Sequence, residues 1–140
     1  MKEAEKQKLS YYEGIGRRKT AVARVRLYVG GDKGGITIND LPLNKHFSGK
    51  ITEKIFLSPL EVTGNVGRFD IRIHVSGSGR TGQLGAIVHG LARALEKVDR
   101  EKFRPLLKKQ GFLTRDPRAK ERRKVGKASN ARKGKQSPKR

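Results

Sequence analysis

The last 27 residues, 114–140, place the strongest constraint on how this chain can fold. They contain twelve Lys or Arg residues against two acids, Asp116 and Glu121, and their only large apolar side chain is Val125. A segment with so little apolar surface cannot offset the conformational entropy that folding would remove. We therefore predict an extended arm that becomes ordered only against a dense polyanion, and RNA or DNA is the first partner to consider.

Basic residues are spread over the rest of the chain as well. The formal net charge is +21, and residues 1–113 carry 22 basic residues against 11 acids. No stretch approaches the ~18–20 apolar residues of a membrane-spanning helix, and the charged start of the chain lacks the apolar region of a signal peptide. Because the chain has no cysteine, it has no disulfide framework, thiolate zinc site or cysteine nucleophile. The sequence therefore predicts a partner other than a membrane.

Composition divides the chain into three regions. We predict a flexible charged leader at 1–10, a globular nucleic-acid-binding domain at 11–113 and the basic arm at 114–140. The arm is expected to be disordered when no nucleic acid is bound.

Hydrophobic periodicity predicts the secondary structure of the globular domain. The sequence becomes strand-like from Tyr11 onward. Apolar and polar residues alternate over 23–29 and over 69–75, as in half-buried strands, and a further short strand is expected at 36–38. Apolar residues recur at helical spacing over 48–58. This helix is predicted to end at Pro59, and a loop is expected from there to Gly67.

A second helix is predicted where apolar residues from Leu84 to Val98 recur at spacings of three, four and seven. A short helix at 103–110, ended by Gly111, follows it. The resulting order, about three strands, a helix, a strand, a helix and a short helix, indicates an α+β domain without internal repeats.

The segment Gly77-Ser78-Gly79-Arg80-Thr81-Gly82 matches G-x-G-x-x-G after a strand and before a helix. A dinucleotide site also needs a second parallel strand ending in an acid, whereas here another helical segment follows, so we reject nicotinamide binding. Two interpretations stay open. The glycines and the helix N-terminus could face a phosphate beside Arg80, or Gly82 and Gly85 could only permit close packing.

A glycine pair, Gly14 and Gly16, precedes three consecutive cations, Arg17, Arg18 and Lys19. Three adjacent cations repel one another unless an anion lies between them, which favours RNA contact over a merely solvated face. Arg24 and Arg26 share one strand face with Val22 and Tyr28, and they either contact RNA or are simply exposed.

The sequence shows no catalytic apparatus. His46, His74 and His89 lie on different predicted elements without metal-ligand spacing, and His89 is better explained as a packed residue than as a base. No nucleophile elbow, paired-carboxylate signature or P-loop is present. We predict no enzyme activity, no cofactor, no metal and no small-molecule substrate.

Three stretches resemble the small-subunit ribosomal protein nine family of bacterial or organellar type. They are 14–25 (GIGRRKTAVARV), 77–90 (GSGRTGQLGAIVHG) and 113–118 (LTRDPR) with the terminal Lys139-Arg140. The similarity covers about 11–140. This chain departs from the family pattern at Ser78, where Gly is usual, at Val88, where Arg is frequent, and at Ser137-Pro138, where the family tip has Phe-Ser.

The resemblance implies a two-layer α/β fold with a mixed four-stranded sheet and one left-handed crossover. It implies a structural role in the head of the small ribosomal subunit, beside other head proteins, on a cytoplasmic or organellar ribosome. It also implies binding to small-subunit ribosomal RNA and contact between the arm tip and P-site transfer RNA. The alternative is a sequence-nonspecific nucleoid or chromatin protein, which a basic tail would also suit.

The candidate contacts fall into three sets. The predicted ribosomal RNA contacts are Arg17, Arg18, Lys19, Arg24, Arg80, Arg115, Arg118, Arg122, Arg123, Lys124, Lys127, Arg132 and Lys133. The predicted phosphate-facing glycines are Gly77, Gly79 and Gly82. The residues that the resemblance assigns to transfer RNA are Lys139 and Arg140.

Overall fold

The computed structural model describes residues 10–30 and 34–132. Residues 1–9 of the predicted leader, residues 31–33, and the candidate contacts Lys133, Lys139 and Arg140 lie outside these residues. The strands are β1 (Tyr11–Arg18), β2 (Ala21–Tyr28), β3 (Ile36–Ile38), β4 (Leu41–Pro42) and β5 (Asp70–Ser76). The helices are α1 (Leu43–His46), α2 (Lys50–Thr63), α3 (Arg80–Val98) and α4 (Arg100–Lys109).

The strands form one mixed sheet in the order β1-β2-β5-β3-β4. The β3–β5 pair is parallel, and the other neighbours are antiparallel. The predicted α+β class and mixed sheet are thus confirmed, although the described sheet has five strands because the two-residue β4 pairs with β3 at the edge. The chain passes through α2 between β3 and β5. The left-handed sense of this crossover stays a prediction.

The core lies between one face of the sheet and the helices. The predicted alternation is confirmed for Ala23, Val25 and Leu27, which are fully buried while their neighbours in β2 are at least partly exposed. It does not extend to Val29, which lies beyond the end of β2 and is exposed. On the helical side, α3 contributes a fully buried apolar row that includes Ile87 and Leu91. The described helices leave the opposite face of the sheet open.

The glycines of β1 let α3 approach the strand very closely. A Cβ added to Gly16 would lie 1.9 Å from the Ala86 carbonyl oxygen and 2.2 Å from the Gly90 nitrogen. A Cβ on Gly14 would lie 2.2 Å from the Gly90 carbonyl oxygen. Backbone therefore packs on backbone here, and no residue with a side chain fits without displacing the helix.

The predicted helix end at Pro59 is wrong. Helix α2 continues to Thr63 and ends at Gly64, whose φ is +66°. Pro59 removes the N–H that would bind the Ile55 carbonyl, but the Ser58 hydroxyl donates to that oxygen instead at 2.7 Å. Because the proline ring is fully buried in the core, its packing favours continuation of the helix.

The later helices follow the predicted pattern, with earlier starts. Helix α4 begins at Arg100 rather than 103, because the Asp99 side chain accepts a hydrogen bond from the Lys102 N–H. None of the helices in the described part of the chain combines the length and apolarity that crossing a membrane requires.

Candidate nucleic-acid interface

The tight turn between β1 and β2 separates the three consecutive cations. Arg18 pairs with Ala21 in the sheet, so Lys19 and Thr20 form the turn, and Lys19 has a φ of +52°. Side chains alternate along a strand, so Arg17 is exposed while Arg18 is half-buried on the helix side. The predicted cluster is therefore two exposed cations, Arg17 and Lys19, with Arg18 facing the other way.

Arg18 is held between α3 and the start of the arm. Its side chain crosses Gly85, where an added Cβ would lie 2.2 Å from the Arg18 Cδ. Its guanidinium lies 3.5 Å from the Asp116 carboxylate, and within the described residues its Nε has no hydrogen-bond partner. Arg18 thus attaches the root of the arm to the domain, and it is less available to a ligand than its neighbours.

The glycine-rich loop before α3 is largely a packing device. Gly77, with a φ of +82°, lies where a Cβ would meet the Thr20 carbonyl oxygen at 2.5 Å, and a Cβ on Gly82 would meet the Ser78 hydroxyl at 2.4 Å. Only Gly79 among the three predicted phosphate-facing glycines has open space beside it. The open part of the loop is therefore Gly79 with the exposed Arg80 at the start of α3.

A groove of about 400 Å³ runs along the free edge of β1 beside α3. The sequence pattern predicted two of its cations, Arg17 and Arg115, but not Arg93 and Lys97. The other residues that line it are Gly14, Ile15 and His89, so no acid lines the groove. Four positive side chains therefore share one concave surface.

His89 connects three segments at this groove. Its Nδ1 lies 3.3 Å from the Arg17 amide nitrogen and accepts that N–H, so Nε2 carries the proton and donates to the Leu113 carbonyl, also at 3.3 Å. Burial lowers the pKa of His89, and the charges of Arg93 and Arg115 lower it further. The interpretation of His89 as a packed residue agrees with these contacts.

The open face of the sheet has a different charge balance. Arg26 lies 2.9 Å and Arg24 3.7 Å from the Glu13 carboxylate, and Arg72 lies 3.1 Å from Asp70. Arg26 and Arg72 also lie over tyrosine rings. The predicted contact Arg24 therefore belongs to a surface on which arginines already have carboxylate partners.

The root of the arm is fixed by contacts with the domain and within itself. Arg115 donates to the Lys19 carbonyl at 3.5 Å. Asp116 accepts from the backbone and side chain of Arg118, and these hydrogen bonds, with the charge of Arg18 nearby, hold the pKa of its carboxyl well below the usual range. Arg118 is thus partly neutralised.

Farther along, the arm closes on itself as a loop. Arg132 forms an ion pair with Glu121, and the Lys124 N–H donates to the Asn130 carbonyl at 3.3 Å. Lys124 also donates from its amine to the Ala131 carbonyl. Both acids of the arm therefore organise its backbone. The cations that remain exposed on this loop without a carboxylate within 4.0 Å, among the described residues, are Arg122, Arg123 and Lys127.

The structure thus sorts the predicted contacts into three groups. The first group is exposed and has no carboxylate partner among the described residues: Arg17, Lys19, Arg80, Arg115, Arg122, Arg123 and Lys127. The second group forms ion pairs with acidic side chains: Arg18, Arg24, Arg118, Lys124 and Arg132. Lys133 lies outside the described residues.

Sequence reasoning missed Arg93 and Lys97, which lie outside the motifs. A signal was present, since residues 89, 93 and 97 are four apart and so share one face of a helix. The described residues contain no group of three His, Asp or Glu side chains placed to hold a metal ion.

Comparison with known proteins agrees with this arrangement. A family model described as "Ribosomal protein S9/S16" matches residues 16–140. Small ribosomal subunit protein uS9 from two strains of Dehalococcoides mccartyi, BAV1 and CBDB1, is 49% identical over 134 residues in each case, which is 96% of this chain and 98% of the relative. The basic groove and arm, the mixed sheet and these matches lead to one conclusion: the chain belongs to the S9/S16 family of small-subunit ribosomal proteins.

Proposed function

We propose that this chain is a structural constituent of the small ribosomal subunit that binds small-subunit ribosomal RNA through phosphate and sugar contacts. The proposal depends on one observation. At the β1 edge, beside the glycine loop and on the arm, the described residues include exposed cations that have no carboxylate partner among them. Such cations neutralise phosphates and let RNA segments approach closely, which supplies affinity and position rather than base identity.

The arm has a second role in this proposal. Its root is attached to the domain by Arg18 and Asp116, and its next part closes on itself through the ion pair of Glu121 and Arg132. The arm takes its extended course only when RNA is bound. The tip residues Lys139 and Arg140 contact phosphates of P-site transfer RNA. Support for this role comes from the family match, which extends to residue 140, and from the terminal Lys-Arg pair. Neighbouring head proteins complete the set of partners, on a cytoplasmic or organellar ribosome.

Sedimentation tests the assignment directly. Tagged full-length chain should co-migrate with small subunits in moderate salt and should prefer small-subunit RNA over duplex DNA of equal length. Equal affinity for generic duplex DNA, without co-migration, would instead identify a nucleoid-type protein.

The salt dependence of RNA binding tests the electrostatic mechanism. If about eight phosphates are neutralised, the plot of log affinity against log salt should have a slope of roughly −6 to −7. A nearly flat dependence would contradict a mechanism based on phosphate neutralisation.

A further inference from the structure

Three side chains of α3 cover the free edge of β1 at matched spacing. His89 accepts the Arg17 N–H at 3.3 Å, Arg93 donates to the Ile15 carbonyl at 2.7 Å, and Lys97 donates to the Glu13 carbonyl at 2.6 Å. Four residues of a helix rise ~6 Å and two residues of a strand rise ~6.6 Å. Every fourth residue of α3 therefore stays level with every second residue of β1. The helix thereby satisfies edge groups that would otherwise be open to another strand.

These hydrogen bonds also hold Arg93 and Lys97 in defined positions. A guanidinium has five N–H donors and an ammonium three, so one bond to the strand leaves donors free on each side chain. Side chains that are already ordered lose less conformational freedom when a ligand binds. The exposed Arg93 and Lys97 are therefore better prepared for an anion than freely rotating cations.

The groove brings together four positive side chains that form no ion pair with a carboxylate among the described residues. None of Arg17, Arg93, Lys97 and Arg115 has a carboxylate within 4.0 Å there, whereas the arginines of the open sheet face are paired with Glu13 or Asp70. The lowered pKa of His89, due first to burial and then to the charges of Arg93 and Arg115, is consistent with a positive potential in the groove.

We propose that this groove binds the sugar–phosphate backbone of one RNA segment, with Arg93 and Lys97 as contacts alongside Arg17 and Arg115. The site rests on the proposed function, and it adds a stretch of α3 to the interface. RNA is favoured over an acidic peptide because the groove continues through Arg115 into the basic arm. The guanidinium forks suit phosphate oxygens, and the cations lie in a row rather than around a single point.

The test compares two double variants of the full chain that each remove two positive charges. R93Q/K97Q removes the groove contacts but keeps an amide donor at each position for the β1 carbonyls. K108Q/K109Q is the matched control, since Lys108 and Lys109 are exposed at the end of α4. Affinity for a transcript of small-subunit ribosomal RNA is measured by filter binding between 50 mM and 300 mM salt, and thermal melting checks folding.

For R93Q/K97Q we expect the salt slope to become shallower by about 1.4–1.8. At 0.15 M salt this corresponds to an affinity loss of about 15- to 30-fold. For the control K108Q/K109Q, the decrease in log affinity should be less than a third of the decrease for R93Q/K97Q. The charge-retaining variant R93K/K97R should restore most of the binding, and if R93Q/K97Q melts early this comparison decides the question.

Equal losses in the two glutamine variants, or no recovery in R93K/K97R, would overturn the groove assignment. If R93Q/K97Q kept its RNA affinity but lost binding to another head protein, the groove would be assigned to an acidic protein partner. That result would also overturn the proposal of RNA binding in the groove. The proposed function fails separately, if the unmodified chain shows no preference for small-subunit RNA over duplex DNA.

Discussion

The contact between Gly16 and α3 yields the sharpest quantitative prediction, for the variant G16A. The added Cβ would lie 1.9 Å from the Ala86 carbonyl oxygen and 2.2 Å from the Gly90 nitrogen, and both are backbone atoms that no rotamer change can move. Since Cβ atoms essentially never come closer than 3.0 Å, α3 would have to retreat from β1 by at least about 1 Å. A gap of this size forfeits about a quarter to a half of the dispersion energy of each contact across it.

The expected cost of G16A is large because α3 packs against β1 and β2 along its buried side. Overpacking typically costs about 1–3 kcal/mol, and we expect at least ~3 kcal/mol here because the clash is with backbone. For an ordered body of about 100 residues this corresponds to a fall in Tm of roughly 12–24 °C. The retreat would also withdraw Arg93 from Ile15 and so weaken RNA binding.

The matched control is G79A, and the assay is thermal and urea unfolding of the full chain. Gly79 has a φ of −100°, which any residue can adopt, and a Cβ there meets nothing within 4 Å. Loss of glycine at this helix N-cap should cost no more than about 1 kcal/mol. If G16A melted within a few degrees of G79A, the inferred backbone contact between β1 and α3 would be wrong.

Three further predictions concern His89, Ser58 and the arm tip. Because the folded pKa of His89 is lowered, its contribution to stability should be complete above the ordinary pKa of 6.5 and should be lost as the pH falls through the folded pKa. The fall in Tm between pH 7.5 and pH 5.5 should therefore be smaller in H89Q, whose amide can replace both hydrogen bonds. An equal fall in Tm in the two proteins would contradict this. S58A should lower the free energy of unfolding in urea by about 0.5–1.5 kcal/mol, since the Ile55 carbonyl loses its substitute donor, whereas T52S, which keeps its hydroxyl, should change it little. Deleting Lys139 and Arg140 should leave subunit assembly intact but weaken retention of P-site transfer RNA by about 1–3 kcal/mol, to a similar extent for different transfer RNAs; full retention by truncated subunits would refute the tip assignment.

The sequence by itself determined the elements whose pattern is periodic and local. Alternation identified β2 and β5, and the helical spacing from Leu84 to Val98 identified the buried face of α3, because burial of one face imposes the same period on the chain. The sequence also predicted the basic arm, since a segment whose only large apolar side chain is Val125 cannot form a core. The motif stretches identified the family, which the comparisons confirm.

The tertiary structure alone decided which of these residues are available to a ligand. Arg17 and Arg18 are neighbours in the sequence, yet one lines an acid-free groove while the other is held by Asp116, almost a hundred residues later. Arg93 and Lys97 became candidate contacts only because the glycines of β1 bring α3 against the edge of that strand. Pro59 continues a helix that its local preference would end, because its ring packs in the core. Periodicity reports how one element is buried, whereas charge pairing and close approach depend on which distant elements meet, and no local pattern contains that information.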